Sequence, residues 1–120
     1  MRAAITAVGK RRGAHVDPRF GRCNYLAIAD AANEHWDFVP NPGLTSGTDA
    51  GVRVARELIG RQVTGVLTGQ IGSDALTILR AAGIEVRTGV TGTVQEAFNA
   101  YRHRRLVAAA VAGLKSRKKV

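Results

Sequence analysis

The stretch KRRGAHVDPRFGRC, residues 10–23, gathers the side chains of this chain that are best suited to holding an anion. Glycine and proline interrupt it too often for a helix or a strand, so it is predicted to be a loop. Guanidinium forks match anionic faces through paired N–H donors. We call residues 9–22 the basic loop; its cations are Lys10, Arg11, Arg12, Arg19 and Arg22.

Two residues of this stretch, Cys23 and His15, are candidate metal ligands. Neighbouring arginines should lower the pKa of the Cys23 thiol and favour the thiolate that binds metals. A neutral imidazole at His15 could bind a metal as well. The alternatives are a small apolar residue at the start of a strand for Cys23 and an exposed loop histidine for His15.

Two glycine-rich turns, GQIGS (69–73, the second turn) and GVTGT (89–93, the third turn), each precede a predicted helix. A helix N-terminus offers free N–H groups and partial positive charge, and glycine lets a bulky ligand approach those amides. Ordinary loop chemistry is the competing interpretation. The predicted ligand-binding residues are Arg19, Gly21, Arg22, Gly69, Gln70, Ile71, Gly72, Gly89, Thr91, Gly92 and Thr93.

Length and composition indicate one globular domain, because the chain has 120 residues, of which 45% are apolar and 22% are charged. No apolar run approaches the roughly 18 residues of a membrane span, and the first residues do not resemble a signal peptide. We therefore expect a cytoplasmic protein that does not contact membranes. A single cysteine excludes an internal disulfide and any cysteine-only zinc or iron–sulfur site within one chain.

The net charge of +9 is unevenly distributed. The basic loop carries +4 and residues 101–120 carry +7 with no acid, whereas residues 23–100 carry −3. Such segregation predicts an anionic partner, although a solvated, solubilising tail would have the same composition. We expect a domain over residues 1–103 and a basic C-terminal extension over residues 104–120.

Hydrophobic periodicity predicts strands at 2–8, 25–30, 35–40, 63–69 and 84–89. It predicts helices at 49–60, 72–83 and 93–104, while residues 106–114 either extend the last helix or dock separately. Residues 115–120 are expected to form a mobile end.

Capping residues mark the ends of these helices. Thr48 or Ser46 is predicted to cap the first helix, Ser73 the second, and Thr93 with Glu96 forms a capping box for the third. Gly83 should end the second helix. The alternating second half requires parallel strands, so the fold class is α/β, a mixed five-stranded sheet with helices on its faces.

Four blocks of sequence resemble the family named for nitrogenase iron–molybdenum cofactor biosynthesis. They are DPRFGRCNYLAIAD, NPG, GVLTGQIGSDALTILRAAGIEV and GVTGTVQEAFNAY, in that order, and together they span about residues 2–101. The resemblance implies a ribonuclease H-like fold with sheet order 3-2-1-4-5. It also implies a protein that is not an enzyme and holds or carries a molybdenum-containing sulfide cluster (Mo-Cu-S or Fe-Mo-S) without covalent attachment.

The sequence departs from the family pattern at Cys23, because many relatives have a small or apolar residue after FGR. A ligand role shared by the family therefore cannot be transferred to this cysteine. The basic extension lies beyond the shared domain and has no counterpart in the resemblance.

Other functions receive less support. A nuclease of this fold needs clustered carboxylates, one of them on the first strand, and RAAITAV has none. No hydrolase or nucleotide-binding motif is present. The stronger alternative is a module that binds nucleic acid or an acidic protein through its basic tail. The sequence is compatible with a monomer or a weak dimer.

Overall fold

The computed structural model describes residues 1–45 and 47–117, with side chains described as far as residue 112. Five strands and three α-helices alternate as the sequence predicts, and a single 3-10 turn precedes the first helix. The elements are β1 (Arg2–Ala7), β2 (Tyr25–Asp30), β3 (His35–Pro40), the 3-10 turn (Gly47–Asp49), α1 (Ala50–Gly60), β4 (Gly65–Leu67), α2 (Ser73–Ala81), β5 (Glu85–Arg87) and α3 (Val94–Arg117).

The sheet has the order β3-β2-β1-β4-β5, which confirms the predicted mixed α/β sheet. β1 pairs antiparallel with β2 and parallel with β4, so that Ile5 lies opposite Ala27 on one side and Leu67 on the other. β3 pairs antiparallel with β2, and β5 pairs parallel with β4. The carboxyl ends of β1, β4 and β5 therefore meet at one edge, where the basic loop and the second and third turns begin.

Helices cover both faces of the sheet. Leu26 and Ile28 of β2 pack with α1 and α2, whereas Ala27 and Ala29 face α3. Because β1 and β2 are buried on both sides, their sequences are almost continuously apolar rather than alternating. The core side chain Phe20 anchors the basic loop under α1, with 2% of its surface exposed.

Two predicted helix caps are wrong. Gly72, not Ser73, is the N-cap of α2, and Asp49 is the N-cap of α1, because the 3-10 turn takes Thr48 away from the helix start. The alternative cap at residue 46 lies outside the described residues. Gly83 does end α2, with a φ of +79° and its N–H donating to the Arg80 carbonyl at 2.9 Å.

The predicted capping box of α3 is confirmed: the N–H of Thr93 donates to Glu96 Oε1 at 2.9 Å, and the N–H of Glu96 donates to Thr93 Oγ1 at 3.1 Å. Residues 106–114 extend this helix, which is continuous through the predicted domain boundary at residue 103, so that division stays a prediction. The predicted mobile end falls partly on residues 118–120, which lie outside the described residues. In the described part of the chain, none of the helices has the length and apolarity to cross a membrane.

Candidate functional site

The basic loop is joined by backbone hydrogen bonds to both glycine-rich turns. The N–H of Phe20 donates to the Gln70 carbonyl at 3.1 Å, and the N–H of Gln70 donates to the Pro18 carbonyl at 2.6 Å. Further along the same edge, the N–H of Val16 donates to the Gly92 carbonyl at 2.9 Å. The three segments therefore converge at one rim of the sheet, as their positions after parallel strands predict.

Two glycines permit this close approach. A Cβ at Gly69 would lie 2.6 Å from the Cα of Pro18, and a Cβ at Gly21 would lie 2.8 Å from the backbone nitrogen of Gly51. Real Cβ contacts of this length do not occur, so a side chain at either position would force the backbones apart. The basic loop consequently lies against both the second turn and the first turn of α1.

A cavity of about 620 Å³ opens where the basic loop, the second turn and two helix N-termini meet. We call it the helix-terminal cavity. Its walls include the first turns of α1 and α2, so both helices direct their positive ends toward it. Six predicted residues line it: Arg19, Gly21, Arg22, Gln70, Ile71 and Gly72.

The N-terminus of α2 is open to this cavity. Its N-cap is a glycine in extended conformation, and no side chain caps the helix. Within the part of the chain that the structure describes, no oxygen accepts from the amides of Ser73, Asp74 or Ala75. Three N–H donors at the positive end of a helix are thus available to an anion.

The N-terminus of α3 is closed by contrast. The amides of Val94 and Gln95 donate to carbonyl oxygens of the basic loop at 2.8 and 3.0 Å, and Thr93 with Glu96 completes the capping box. Hydrogen bonds from the backbone and side chain of Thr93 lower the pKa of Glu96 below its ordinary value. The carboxylate of Glu96 already occupies the place where a bound anion would lie.

The third turn lines a different cavity. Gly89, Thr91 and Gly92 face a groove of about 700 Å³ between this turn and α3, and none of them lines the helix-terminal cavity. We call this the α3 groove. The predicted ligand-binding residues are therefore divided between two cavities along the shared rim. Gly69 and Thr93 line neither cavity.

Arg19 is held by a carboxylate that the sequence analysis did not single out. Asp17 is fully buried, and its Oδ1 accepts from the Arg19 N–H at 3.0 Å and from Nε at 3.2 Å. Its Oδ2 accepts from a terminal guanidinium nitrogen at 3.3 Å. Hydrogen bonding to Asp17 raises the pKa of Arg19. Arg19 thus brings to the cavity a charge that is already balanced.

Arg22 brings an unbalanced charge. Its guanidinium donates to the carbonyl oxygens of Leu44 and Gly47, at 3.4 and 2.5 Å, and among the described residues no carboxylate pairs with it. These bonds hold the guanidinium beside the start of α1, at the mouth of the helix-terminal cavity. Asp74, in the first turn of α2, also lines the cavity and partly offsets this charge.

Comparison with known proteins places this architecture in a family. A sequence model of the family described as dinitrogenase iron-molybdenum cofactor matches residues 1–104. The chain belongs to that family. The match includes the basic loop and both glycine-rich turns, so it covers every segment that lines the helix-terminal cavity.

Two solved structures of similar proteins agree with this assignment. The apo form of the orange protein from Desulfovibrio gigas is 35% identical, with a TM-score of 0.82, over 85% of this chain and 87% of that chain. A putative NifB protein from Thermotoga is 32% identical, with a TM-score of 0.74, over the same shares of the two chains.

In this family domain, Cys23 lies in the core rather than in a cavity. Its side chain is completely buried among the apolar residues beneath α1. Burial, followed by the negative charge of Asp17, raises the pKa of the thiol to about 12. The prediction that nearby arginines lower this pKa is wrong, because loss of hydration outweighs the small effect of Arg19. The neutral thiol behaves as the small apolar residue of the alternative interpretation.

His15 is exposed and lies beside the third turn, where its backbone pairs with Thr93. Its charge contributes slightly to lowering the pKa of Glu96, which places it near the α3 capping box and away from the helix-terminal cavity. Among the side chains that the structure describes, no three His, Cys, Asp or Glu residues are grouped to hold a metal ion.

The role of the NPG block was not predictable from its composition. The buried Asn41 donates through Nδ2 to the carbonyls of Gly21 and Cys23, at 3.0 and 2.8 Å, and its Oδ1 accepts from the Gly43 N–H. The end of the basic loop is thereby fixed beside α1. The sequence offered one signal, an Asn-Pro-Gly turn directly after β3.

Proposed function

We propose that this protein binds and carries an anionic molybdenum-, iron- or copper-containing sulfide cluster in the helix-terminal cavity, without catalysing a reaction. The observation that supports this most is the open N-terminus of α2, with three available amides, facing the same cavity as the unbalanced charge of Arg22. Membership in the dinitrogenase iron-molybdenum cofactor family supports the same class of guest.

The cavity suits such a guest in size and polarity. Its volume of about 620 Å³ lies within the roughly 300–1,000 Å³ typical of small-molecule sites. A thiometallate cluster brings its own sulfide ligands, so the protein needs to supply hydrogen bonds and positive charge rather than metal ligands. The amides of Ser73, Asp74 and Ala75 would donate to the sulfide ligands, while Phe20 and Ile71 provide an apolar wall.

The test is anaerobic reconstitution of the apoprotein with tetrathiomolybdate, with and without copper or iron. We expect a stoichiometric visible chromophore, and an Arg22→Ala variant should bind it about tenfold more weakly, since a charge-assisted contact contributes roughly 1.5 kcal/mol. Arg80→Ala is the matched control, because Arg80 lies in the last turn of α2, at the opposite end from the cavity.

A second variant sharpens the result. Asp74→Asn removes the one acid that lines the cavity and should tighten binding, whereas a site elsewhere on the molecule would not respond. Absence of a chromophore with every metal, or equal loss in the Arg22→Ala and Arg80→Ala variants, would contradict the proposal.

A further inference from the structure

Only the first part of α3 packs against the sheet. Val94, Phe98 and Tyr101 are buried, but residues 103–112 are all exposed. The helix has 24 residues and is therefore about 36 Å long, in a molecule whose longest dimension is 55 Å. Residues 103–112, the described part of the helix beyond this packed segment, are exposed and have no place in the core.

The α3 groove continues along this helix. A second hollow, of about 340 Å³, borders the first and shares Arg87 and Arg104 with it. The two together form a channel from the third turn to Ala108 and Ala109. This concave surface is separate from the helix-terminal cavity and has no part in the function proposed above.

One face of α3 combines this channel with exposed apolar side chains. Ala100 and Arg104 line the groove, and Val107 and Val111 follow at spacings of three and four residues. Residues at such spacing lie on one side of a helix. Val107 is 49% exposed and Val111 45% exposed, although apolar side chains on this helix have no folding role to fulfil there.

Three arginines line the channel against two acids, Glu85 and Glu96, so its net charge is positive. Arg87 and Arg105 both pair with Glu85, at 2.6 and 3.0 Å, so one carboxylate serves two guanidinium groups. Arg104 pairs with no carboxylate among the described residues. The sequence contains no acid after Glu96, whereas residues 101–120 contain seven cations.

We infer that the α3 groove and the face that extends it bind an acidic helical segment of a partner protein. Carboxylates of the partner would pair with Arg104 and with the unsatisfied share of Arg87 and Arg105, and an apolar stripe would cover Val107 and Val111. Charged and apolar side chains that share one face are typical of a surface on which an amphipathic helix docks.

The same charges disfavour other occupants. A second copy of this chain, docked through the same face, would set Arg104 against a channel that already has more arginines than acids. Nucleic acid would leave the apolar strip uncovered, and the chain has no aromatic residue after Tyr101 on which bases could stack. A lipid surface favours bulky Trp, Phe and Leu side chains, whereas this face presents alanine and valine.

The experiment uses the full-length protein and a fluorescent 20-residue peptide with a leucine–alanine stripe flanked by glutamates. A matched peptide with lysine in place of every glutamate is the comparison, and binding is measured by anisotropy. We expect the glutamate peptide to bind at least about tenfold more tightly. Arg104→Glu should weaken it about tenfold and allow the lysine peptide to bind.

Matched variants distinguish binding at this surface from a general effect of net charge or of exposed apolar side chains. Arg80→Glu makes the same change of charge on α2 and should have little effect. Val107→Ser with Val111→Ser should weaken binding, whereas Leu106→Ser, which removes an exposed apolar side chain about 100° around α3 from Val107, should not.

Four results would overturn the inference. They are equal effects of Arg104→Glu and Arg80→Glu, no binding of the glutamate peptide, tighter binding of phosphatidylglycerol vesicles or oligouridine, and self-association that Val107→Ser with Val111→Ser abolishes. Tetrathiomolybdate binding, measured on the same variants, should be unchanged. Failure of this inference and failure of the proposed function are therefore distinguishable.

Discussion

Asp17 determines how the basic loop presents its arginines. It is fully buried, and three hydrogen bonds tie it to Arg19, whose own side chain is 63% exposed. A buried carboxylate needs such partners because its loss of hydration is otherwise uncompensated. Arg19 therefore acts mainly on the conformation of the loop, and Arg22 is the residue whose charge remains available for a ligand.

This division of roles predicts different effects on stability. Arg19→Ala strips the buried carboxylate of two hydrogen bonds and should lower the free energy of unfolding more than Arg22→Ala does. Arg22→Ala touches only exposed carbonyls and should change it by less than about 0.5 kcal/mol. Urea denaturation measures both values, and equal losses in the two variants would refute the assignment.

At the scale of elements, α2 and α3 begin with opposite arrangements. The first turn of α3 is satisfied by its capping box and by carbonyls of the basic loop, whereas the first turn of α2 has a glycine cap and no side-chain partner. The two glycine-rich turns therefore have different roles. The third turn (89–93) fastens α3 to the domain, whereas the second turn (69–73) leaves the first amides of α2 available at a cavity.

Removing the cap of α3 should therefore lower the stability of the fold without weakening binding of the proposed cluster. Thr93→Ala deletes the hydroxyl that accepts from the Glu96 N–H and should lower the free energy of unfolding by about 1 kcal/mol. Thr91→Ala, two residues earlier in the same turn, is the matched control and should be nearly neutral. Denaturation curves combined with tetrathiomolybdate titrations would show the effect; a weakened chromophore in Thr93→Ala would mean that the third turn belongs to the binding site.

For the whole molecule, buried acids set how stability depends on pH. The pKa of Cys23 is raised to about 12, mainly by burial, and burial also raises the pKa of Tyr101. A group whose pKa is higher in the folded state stabilises the fold fully below its unfolded pKa, and that contribution is lost as pH rises toward the folded value. Stability should therefore decline on the alkaline side.

The thiol contribution to this decline can be isolated. Between pH 9 and pH 10 the wild-type protein should lose about 1 kcal/mol of unfolding free energy because Cys23 ionises only in the unfolded chain. Cys23→Ala should remove this part of the slope while lowering stability at pH 7 through the small cavity it leaves. Denaturant midpoints at several pH values test this, and identical slopes for the two proteins would show that the thiol is not the cause.

Fold and site differed in how far the sequence could predict them. Strand positions followed from short apolar runs, and the Thr93–Glu96 cap followed from its spacing, because these are local features of the chain. The division of the site did not follow, since it depends on which oxygens accept from the first amides of α2 and α3. The acceptors for α3 come from the basic loop, about eighty residues earlier in the chain, and α2 has none among the described residues.

Individual side chains show the same limit. The arginines beside Cys23 in the sequence predict a lowered thiol pKa, but burial raises it instead. Burial is a property of the packed domain, and a run of charged neighbours does not reveal it. In the sequence Asp17 is one acid among five cations, but its burial under the loop makes it the anchor of Arg19.

The lack of a Cβ at Gly69 and Gly21 has a practical consequence for protein engineering. With Pro18 and the start of α1 touching bare backbone, the loop after β1 and the turn after β4 form an interlocked pair that cannot be redesigned separately. In a chimera that takes only one of these two segments from a relative, the backbones of the loop and the turn would no longer fit against each other. Exchanging both segments together with the first turn of α1 preserves these backbone contacts and would allow the cavity to be adapted to a different ligand.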